Sequence, residues 1–222
     1  MFLDSGDIKQ YKNFENIGVF KGITTNPSIL FKEMIQRENV LNDFSKENLS
    51  YIFVQLTGKT YKEMKIDYDN VRRSVNFNEK VGIKIPINME GLKLINHIKK
   101  ENRHQIVLGT ALYTAIQGVL GAKAGCDYLA FYVNRMESNH IDPYQEIMIT
   151  KNYIALHSLS TKIMGASFKN PSQIVKSLNA GADTITMSPE IIQSMLSNPL
   201  VEEAIDQFEK DSTNLAERNS ID

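Results

Sequence analysis

The sequence predicts an α/β protein of the closed type: a parallel (β/α)8 barrel in a single domain, residues 1–222, with an extra C-terminal helix and tail from about 199 to 222. Three observations predict it. Short runs of β-branched and aromatic residues recur eight times, each followed by a longer stretch with helical spacing. A length of 222 residues lies within the range of such barrels. The competing architecture is an open doubly wound sheet, and no Gly-x-Gly-x-x-Gly turn follows any of the eight runs.

The first strand is expected at Phe2-Leu3, with a helix from about Asp7. Val19–Ile23 and Tyr51–Gln55 are the second and third, leading to helices near Ser28 and Lys59. The fourth, Val81–Ile85, alternates Val81, Ile83 and Ile85, and is bounded by Pro86. The helix after it, from Met89 to Lys99, puts Leu92, Ile95 and Ile98 on one face and Lys93, Asn96 and Lys99 elsewhere. Strands at Ile106–Leu108 and Tyr128–Tyr132 are followed by helices near Thr110 and Tyr144. The last two strands, Lys162–Ala166 and Thr184–Met187, lead to helices at Pro171 and Pro189, which suit a first helical turn after the N-cap candidates Asn170 and Ser188. Ala124-Gly125 and Ala180-Gly181-Ala182 read as helix C-caps. A ninth helix carries Val201, Ala204, Ile205 and Phe208, then gives way to a polar stretch, Asn214 to Asp222. An appendage of this kind often packs on a neighbouring subunit.

Composition bounds the function. A hydrophobic share of 42% and a charged share of 23% are ordinary for a globular chain. The net charge of -1 gives no electrostatic reason to expect nucleic acid or a membrane as partner. One cysteine, Cys126, excludes an intrachain disulfide and fits a reducing compartment. Met1 to Asp7 lacks the basic start of a signal peptide, and no apolar run approaches the ~18 residues of a membrane span. The expectation is a cytoplasmic protein.

Lys84 is the most informative residue. An ammonium within an apolar strand costs several kcal/mol to bury without a partner, and burial lowers its pKa. Either the side chain snorkels to solvent, or it stays as a neutral amine able to form a Schiff base with a carbonyl substrate. The other strand ends bear on that choice, because chemistry in this architecture sits at the C-terminal ends of the strands. Those ends deliver Asp4, Thr24-Thr25-Asn26, Gln55, Gly109-Thr110, Tyr132 to Arg135, and Ser167 to Lys169. Singly, each has a plainer reading: Asp4, Asn26 and Thr110 as helix caps, Arg135 as a solvated cation. Together they deliver polar groups to one face. Arg135, Ser167 and Lys169 offer two cations and a hydroxyl suited to a phosphate monoester. Asp4, Asn26, Gln55, Thr110 and Tyr132 suit the hydroxyls of a sugar backbone. Amine, polyol pocket and phosphate clamp point to a Schiff-base aldolase of sugar phosphates.

These residues resemble the transaldolase family, and most closely its small fructose-6-phosphate aldolase-like branch. The similar segments are Leu3-Asp4, Gly22 to Ser28 (Gly-Ile-Thr-Thr-Asn-Pro-Ser), Lys84-Ile-Pro, Gly91-Leu92, Gly109-Thr-Ala111, Tyr132 to Arg135 and Ala166 to Lys169, with weaker similarity through Gly181-Ala-Asp183. The resemblance implies a TIM barrel with Lys84 as the Schiff-base residue, a ring or double-ring homo-oligomer such as a decamer, and neither metal nor diffusible cofactor. Transaldolases usually carry Glu where this chain has Gln55, Phe where it has Tyr132, and Ser where it has Ala130. All three positions here look like the aldolase branch. The chain departs from both branches at Phe131, where Pro is usual, and at Thr57-Gly58.

The expected activity is reversible cleavage of fructose 6-phosphate to dihydroxyacetone and glyceraldehyde 3-phosphate. Lys84 would be the nucleophile, with Asp4 assisting proton transfer. Gln55, Thr110 and Tyr132 would hold a water, and Thr24, Asn26 and Ala130 would shape the donor pocket. Arg135, Ser167 and Lys169 would hold the phosphate. The alternative is a transaldolase passing the same three-carbon unit to another aldehyde, and the remote one is a non-catalytic sugar-phosphate-binding barrel.

Overall fold

The alternation in the eight short runs resolves into a ring of parallel strands. In a computed structural model describing residues 1–219, the strands are β1 (Phe2–Asp4), β2 (Gly22–Thr24), β3 (Tyr51–Gln55), β4 (Val81–Pro86), β5 (Val107–Leu112), β6 (Tyr128–Tyr132), β7 (Lys162–Ala166) and β8 (Thr184–Met187). They pair in chain order, and β1 pairs with β8 to close the barrel. The helices are α1 (Ile8–Phe14), α2 (Pro27–Glu33), α3 (Arg37–Phe44), α4 (Tyr61–Arg72), α5 (Met89–Glu101), α6 (Ala115–Lys123), α7 (Val133–Ser138), α8 (Pro143–Leu156), α9 (Pro171–Asn179), α10 (Pro189–Leu196) and α11 (Pro199–Asn219). None of them is long and apolar enough to cross a membrane.

Alternate residues of each strand face opposite ways, which creates two cores. Outward-facing Ile23, Ile52, Val54, Ile83, Ile85, Leu129 and Ile163 pack beneath the helices. Inward-facing Phe2, Phe53, Leu108, Tyr128, Ala130, Tyr132, Met164 and Ala166 fill the barrel itself. Phe2, Tyr51, Phe53 and Tyr128 meet at centroid distances of 5.5–6.3 Å and plug one end with aromatic surface. Phe53 fits because Gly82 faces it from β4: a Cβ there would sit 2.4 Å from the ring. Gly91 plays a similar part outside, where a Cβ would meet the Pro86 carbonyl oxygen at 1.9 Å, so α5 lies tight against the end of β4.

The structure differs from the sequence reading in five places. β2 begins at Gly22 rather than Val19, because Val19 lies in a loop and is 44% exposed. β5 runs from Val107 to Leu112, so Thr110 sits within the strand, and Thr114 caps α6 instead. Ala111, at φ +56°, accompanies a register shift between Gly109 and Leu112. Two helices were not anticipated. α3 buries Val40, Leu41 and Phe44 although no side chain caps its start, and α7 follows β6 without an intervening turn. Finally, α11 continues through Asn219, so the expected polar tail from Asn214 is helical that far, and residues 220–222 lie outside the described ones. Asn170 does cap α9 through a 3.1 Å bond from the Gln173 amide, whereas Ser188 holds the N-cap position of α10 without such a bond.

Gly82→Ala should destabilise the fold by about 1–3 kcal/mol, because Phe53 must leave its place in a filled barrel. For a chain of this length that corresponds to a fall of roughly 2–4 °C in melting temperature per kcal/mol. A thermal unfolding curve unchanged by the substitution would mean the barrel floor is loosely packed.

Candidate active site

Strand register sets the level of the site. Gln55 of β3 stands beside Lys84 of β4, which neighbours Leu108 of β5, and Pro86 pairs with Thr110 one step further up. Paired residues of parallel strands face the same side, so Gln55, Lys84 and Thr110 all project into the barrel above its aromatic floor. Asp4 enters at the same end from β1. Of these, Asp4 and Lys84 border a cavity of about 550 Å³ whose walls also include Asn26, Ala130, Tyr132, Arg135, Ser167 and Lys169.

Lys84 is 3% exposed, so the snorkelling alternative falls. Burial pushes its pKa below the ordinary lysine value, and the charge of Asp4 only partly opposes that. Burial likewise raises the Asp4 pKa, against the pull of Lys84 and of the Thr24 hydroxyl, which donates to Asp4 Oδ1 at 2.6 Å. Both groups are thus driven toward their neutral forms, the amine and the carboxyl. That is the pairing imine formation needs. Thr24 is in turn 2.6 Å from Thr186 of β8, so the Asp4 carboxyl is held by a hydroxyl chain.

Across the barrel the Tyr132 and Thr110 hydroxyls lie 3.0 Å apart, both buried. Burial raises the Tyr132 pKa, so the phenol keeps its proton. The Arg135 guanidinium sits 4.9 Å from the centroid of the Tyr132 ring, a cation–π contact that fixes an exposed cation at the cavity rim. Arg135 therefore lies in the first turn of α7, not on the strand itself. Ser167 adopts φ +61°, a left-handed conformation uncommon for a residue with a side chain, where β7 turns toward α9. Lys169 is exposed at the same rim.

The plain cap readings separate cleanly. Asp4 does not cap α1, since Asp7 does, accepting from the Lys9 amide at 2.8 Å. Thr110 caps nothing. Asn26 does cap α2, with Oδ1 accepting from the Ile29 amide at 3.0 Å, which leaves its amide nitrogen for the cavity. Gln55 borders a second cavity of about 530 Å³, which shares Asn26 with the first, and among the described residues its Oε1 is buried without a hydrogen-bond partner. Thr24 and Thr110 stand behind the wall as partners of Asp4 and Tyr132.

Several wall residues escaped the sequence reading, among them Thr186, Lys32 and Glu190. Thr186 was detectable from the alternation of Thr184 and Thr186 in β8. Lys32 lies one helical turn after Ser28, on the same face of α2. It approaches Glu190 of α10 across the mouth of the cavity at 3.6 Å. No local pattern singled out Glu190. Phe131, by contrast, points away from the cavity into the helix layer, beneath Gly118 of α6. Among the described residues, no three His, Cys, Asp or Glu side chains come together as a metal centre would require.

A family model described as Transaldolase/Fructose-6-phosphate aldolase matches residues 1–222, and the chain belongs to that family. The protein is accordingly an enzyme of the Schiff-base aldolase/transaldolase kind, and the family implies sugar-phosphate substrates.

The lowered pKa of Lys84 has a measurable consequence for stability. The unfolded chain keeps a proton on this lysine up to the ordinary value of 10.5, while the folded chain releases it at lower pH. The unfolded state then binds more protons, so the lysine makes stability rise with pH through that window. Lys84→Met removes the penalty. The variant should melt above the wild type at pH 8, by roughly 2–4 °C per kcal/mol recovered. That advantage should shrink as the pH approaches 10.5. Melting curves whose difference is independent of pH over this range would mean that Lys84 stays protonated in the fold.

Proposed function

We propose, from membership of this family and from the neutral-leaning pair of Lys84 and Asp4, that the protein is a class I aldolase. It would reversibly cleave fructose 6-phosphate to dihydroxyacetone and glyceraldehyde 3-phosphate. The Lys84 amine attacks the C2 ketone, and the carbinolamine loses water with a proton supplied by Asp4, leaving an iminium. A water held by Gln55, Thr110 and Tyr132 takes the proton of the C4 hydroxyl. The C3–C4 bond breaks, its electron pair moves into the iminium to give an enamine, and glyceraldehyde 3-phosphate departs. Protonation of the enamine at C3 and hydrolysis of the resulting iminium release dihydroxyacetone and restore the amine. Asn26 orients donor hydroxyls, with Thr24 acting behind Asp4 and Ala130 leaving room beside the donor. Arg135, Ser167 and Lys169 hold the phosphate at the rim.

The single observation that carries aldolase over transaldolase is the Tyr132 hydroxyl, 3.0 Å from Thr110 and kept protonated by burial. It gives the enamine a proton source, which a Phe would lack. Neutral Gln55 adds no carboxylate to compete for that hydroxyl. The same reading includes a cytoplasmic homo-oligomer, supported by the exposed Val201, Ile205, Phe208 and Leu215 along α11.

Two experiments test it. Borohydride reduction in the presence of dihydroxyacetone should label Lys84 alone among the lysines, and labelling elsewhere rejects the mechanism. Dihydroxyacetone release and transfer to erythrose 4-phosphate would then be compared on the same preparations. Tyr132→Phe should lower release more than transfer, by a margin of about 100-fold or more if the phenol is the general acid. Equal loss of both, or a wild type that transfers faster than it releases, would make the protein a transaldolase.

The phosphate clamp makes a separate forecast. Arg135→Ala should raise KM for glyceraldehyde 3-phosphate by about 10–100-fold, the cost of one charge-assisted contact. KM for unphosphorylated glyceraldehyde should change little, and equal effects on the two aldehydes would assign Arg135 a structural part only.

A further inference from the structure

We propose that Arg37 and Asp67 form a clamp that positions Gln55 for the water-holding step, an inference that rests on the aldolase reading of Gln55. Gln55 is the last residue of β3, and the chain leaves the barrel immediately after it. Its buried Oε1 has no partner among the described residues, so its own hydrogen bonds do not fix the side chain before substrate or water arrives. The backbone must supply the order.

Arg37, at the start of α3, and Asp67, on α4, approach this exit from two directions. The guanidinium meets the carboxylate in a two-pronged pair at 2.7 and 2.8 Å. Arg37 also donates to the Gln55 carbonyl at 3.4 Å. Asp67 accepts from both the amide and the hydroxyl of Thr57, at 2.7 and 3.1 Å. The residue between, Leu56, is tied to the Lys84 carbonyl at 3.0 Å. Gln55, Leu56 and Thr57 are therefore each held, the outer two by one ion pair and the middle one by the strand carrying the reactive amine.

The pair is built to hold geometry. Its side chains are 18% and 15% exposed, the Asp67 pKa is lowered by Arg37 and Thr57 despite partial burial, and the planar fork of Arg matches both carboxylate oxygens at once. A displacement of order 1 Å in such a supporting contact can cost about 100-fold in rate without touching the substrate.

A double-mutant cycle tests the clamp. Arg37→Met and Asp67→Asn would each be made alone and with Gln55→Ala. Dihydroxyacetone release, KM for fructose 6-phosphate and the rate of reductive trapping on Lys84 would be measured for every variant. Arg37→Met should lower release by about 10–100-fold with trapping unchanged, and should have no further effect once Gln55 is Ala. Arg37→Lys, which keeps the charge but loses the fork, should fall between. If Arg37→Met proves unstable, Asp67→Asn and Arg37→Lys complete the cycle. Effects that multiply with Gln55→Ala, release left intact, or trapping lost in proportion would each overturn the clamp while leaving the aldolase reading in place. A Gln55→Ala variant with unimpaired release would overturn the role given to Gln55, and the clamp with it.

Discussion

A single amine withheld from water organises this molecule. Lys84 cannot be carried into a closed barrel as a bare cation, and a close carboxylate would stabilise the charged form that the chemistry must avoid. The structure meets both conditions at once. Asp4 is near enough to act on Lys84, yet its Oδ1 is taken up by Thr24, which is in turn held by Thr186. The hydroxyl chain keeps the carboxyl directed along the barrel wall, and burial drives acid and amine toward neutrality together. The strand ring, its aromatic floor and the glycine that admits Phe53 all serve to keep Lys84 away from bulk solvent.

The fold was legible in the sequence because its signals are local and repeat. Alternation within Val81–Ile85, helical spacing in Met89–Lys99, and proline after a capping Asn at 170 each have one natural structural solution. Lys84 stood out for a similar reason: a lysine in such a run violates the pattern, and the structure buries it as that violation suggests. What escaped depends on geometry that no local pattern encodes. α7 has no turn before it to announce it, so Arg135 was placed on a strand end instead of on a helix against the Tyr132 ring. α3 is short and lacks a capping side chain, so its first residue, Arg37, gave no sign of reaching Asp67, 30 residues away. The lone Oε1 of Gln55 likewise needs the packed barrel before it can be seen.

The ring of Tyr132 couples the two ends of the cavity. Its hydroxyl meets Thr110 inside the barrel, while its face carries the Arg135 guanidinium at the rim. A cation that is otherwise exposed would sample many rotamers, and the aromatic surface narrows that choice. One side chain therefore touches both the buried Thr110 hydroxyl and the cation at the rim. Replacing the ring would disturb both ends, whereas removing only the hydroxyl separates them.

Phe131 and Thr57-Gly58, the two places singled out in the sequence, lie in unlike surroundings. Phe131 lies on the outer face of β6, where it fills the space left by Gly118, so it changes how the helix layer packs and not what the cavity presents. Thr57-Gly58 lies against the site. Gly58 takes φ +126° where a Cβ would crowd the start of α4, and that turn brings the amide and hydroxyl of Thr57 onto Asp67. Through Asp67 and Arg37 the turn reaches the carbonyl of Gln55. The Thr57-Gly58 loop is thus one end of a continuous set of hydrogen bonds whose other end is the carbonyl of Gln55, beside Lys84 on the next strand. Under the proposed reading, sequence change there would alter how Gln55 is aimed and leave the Lys84 amine untouched.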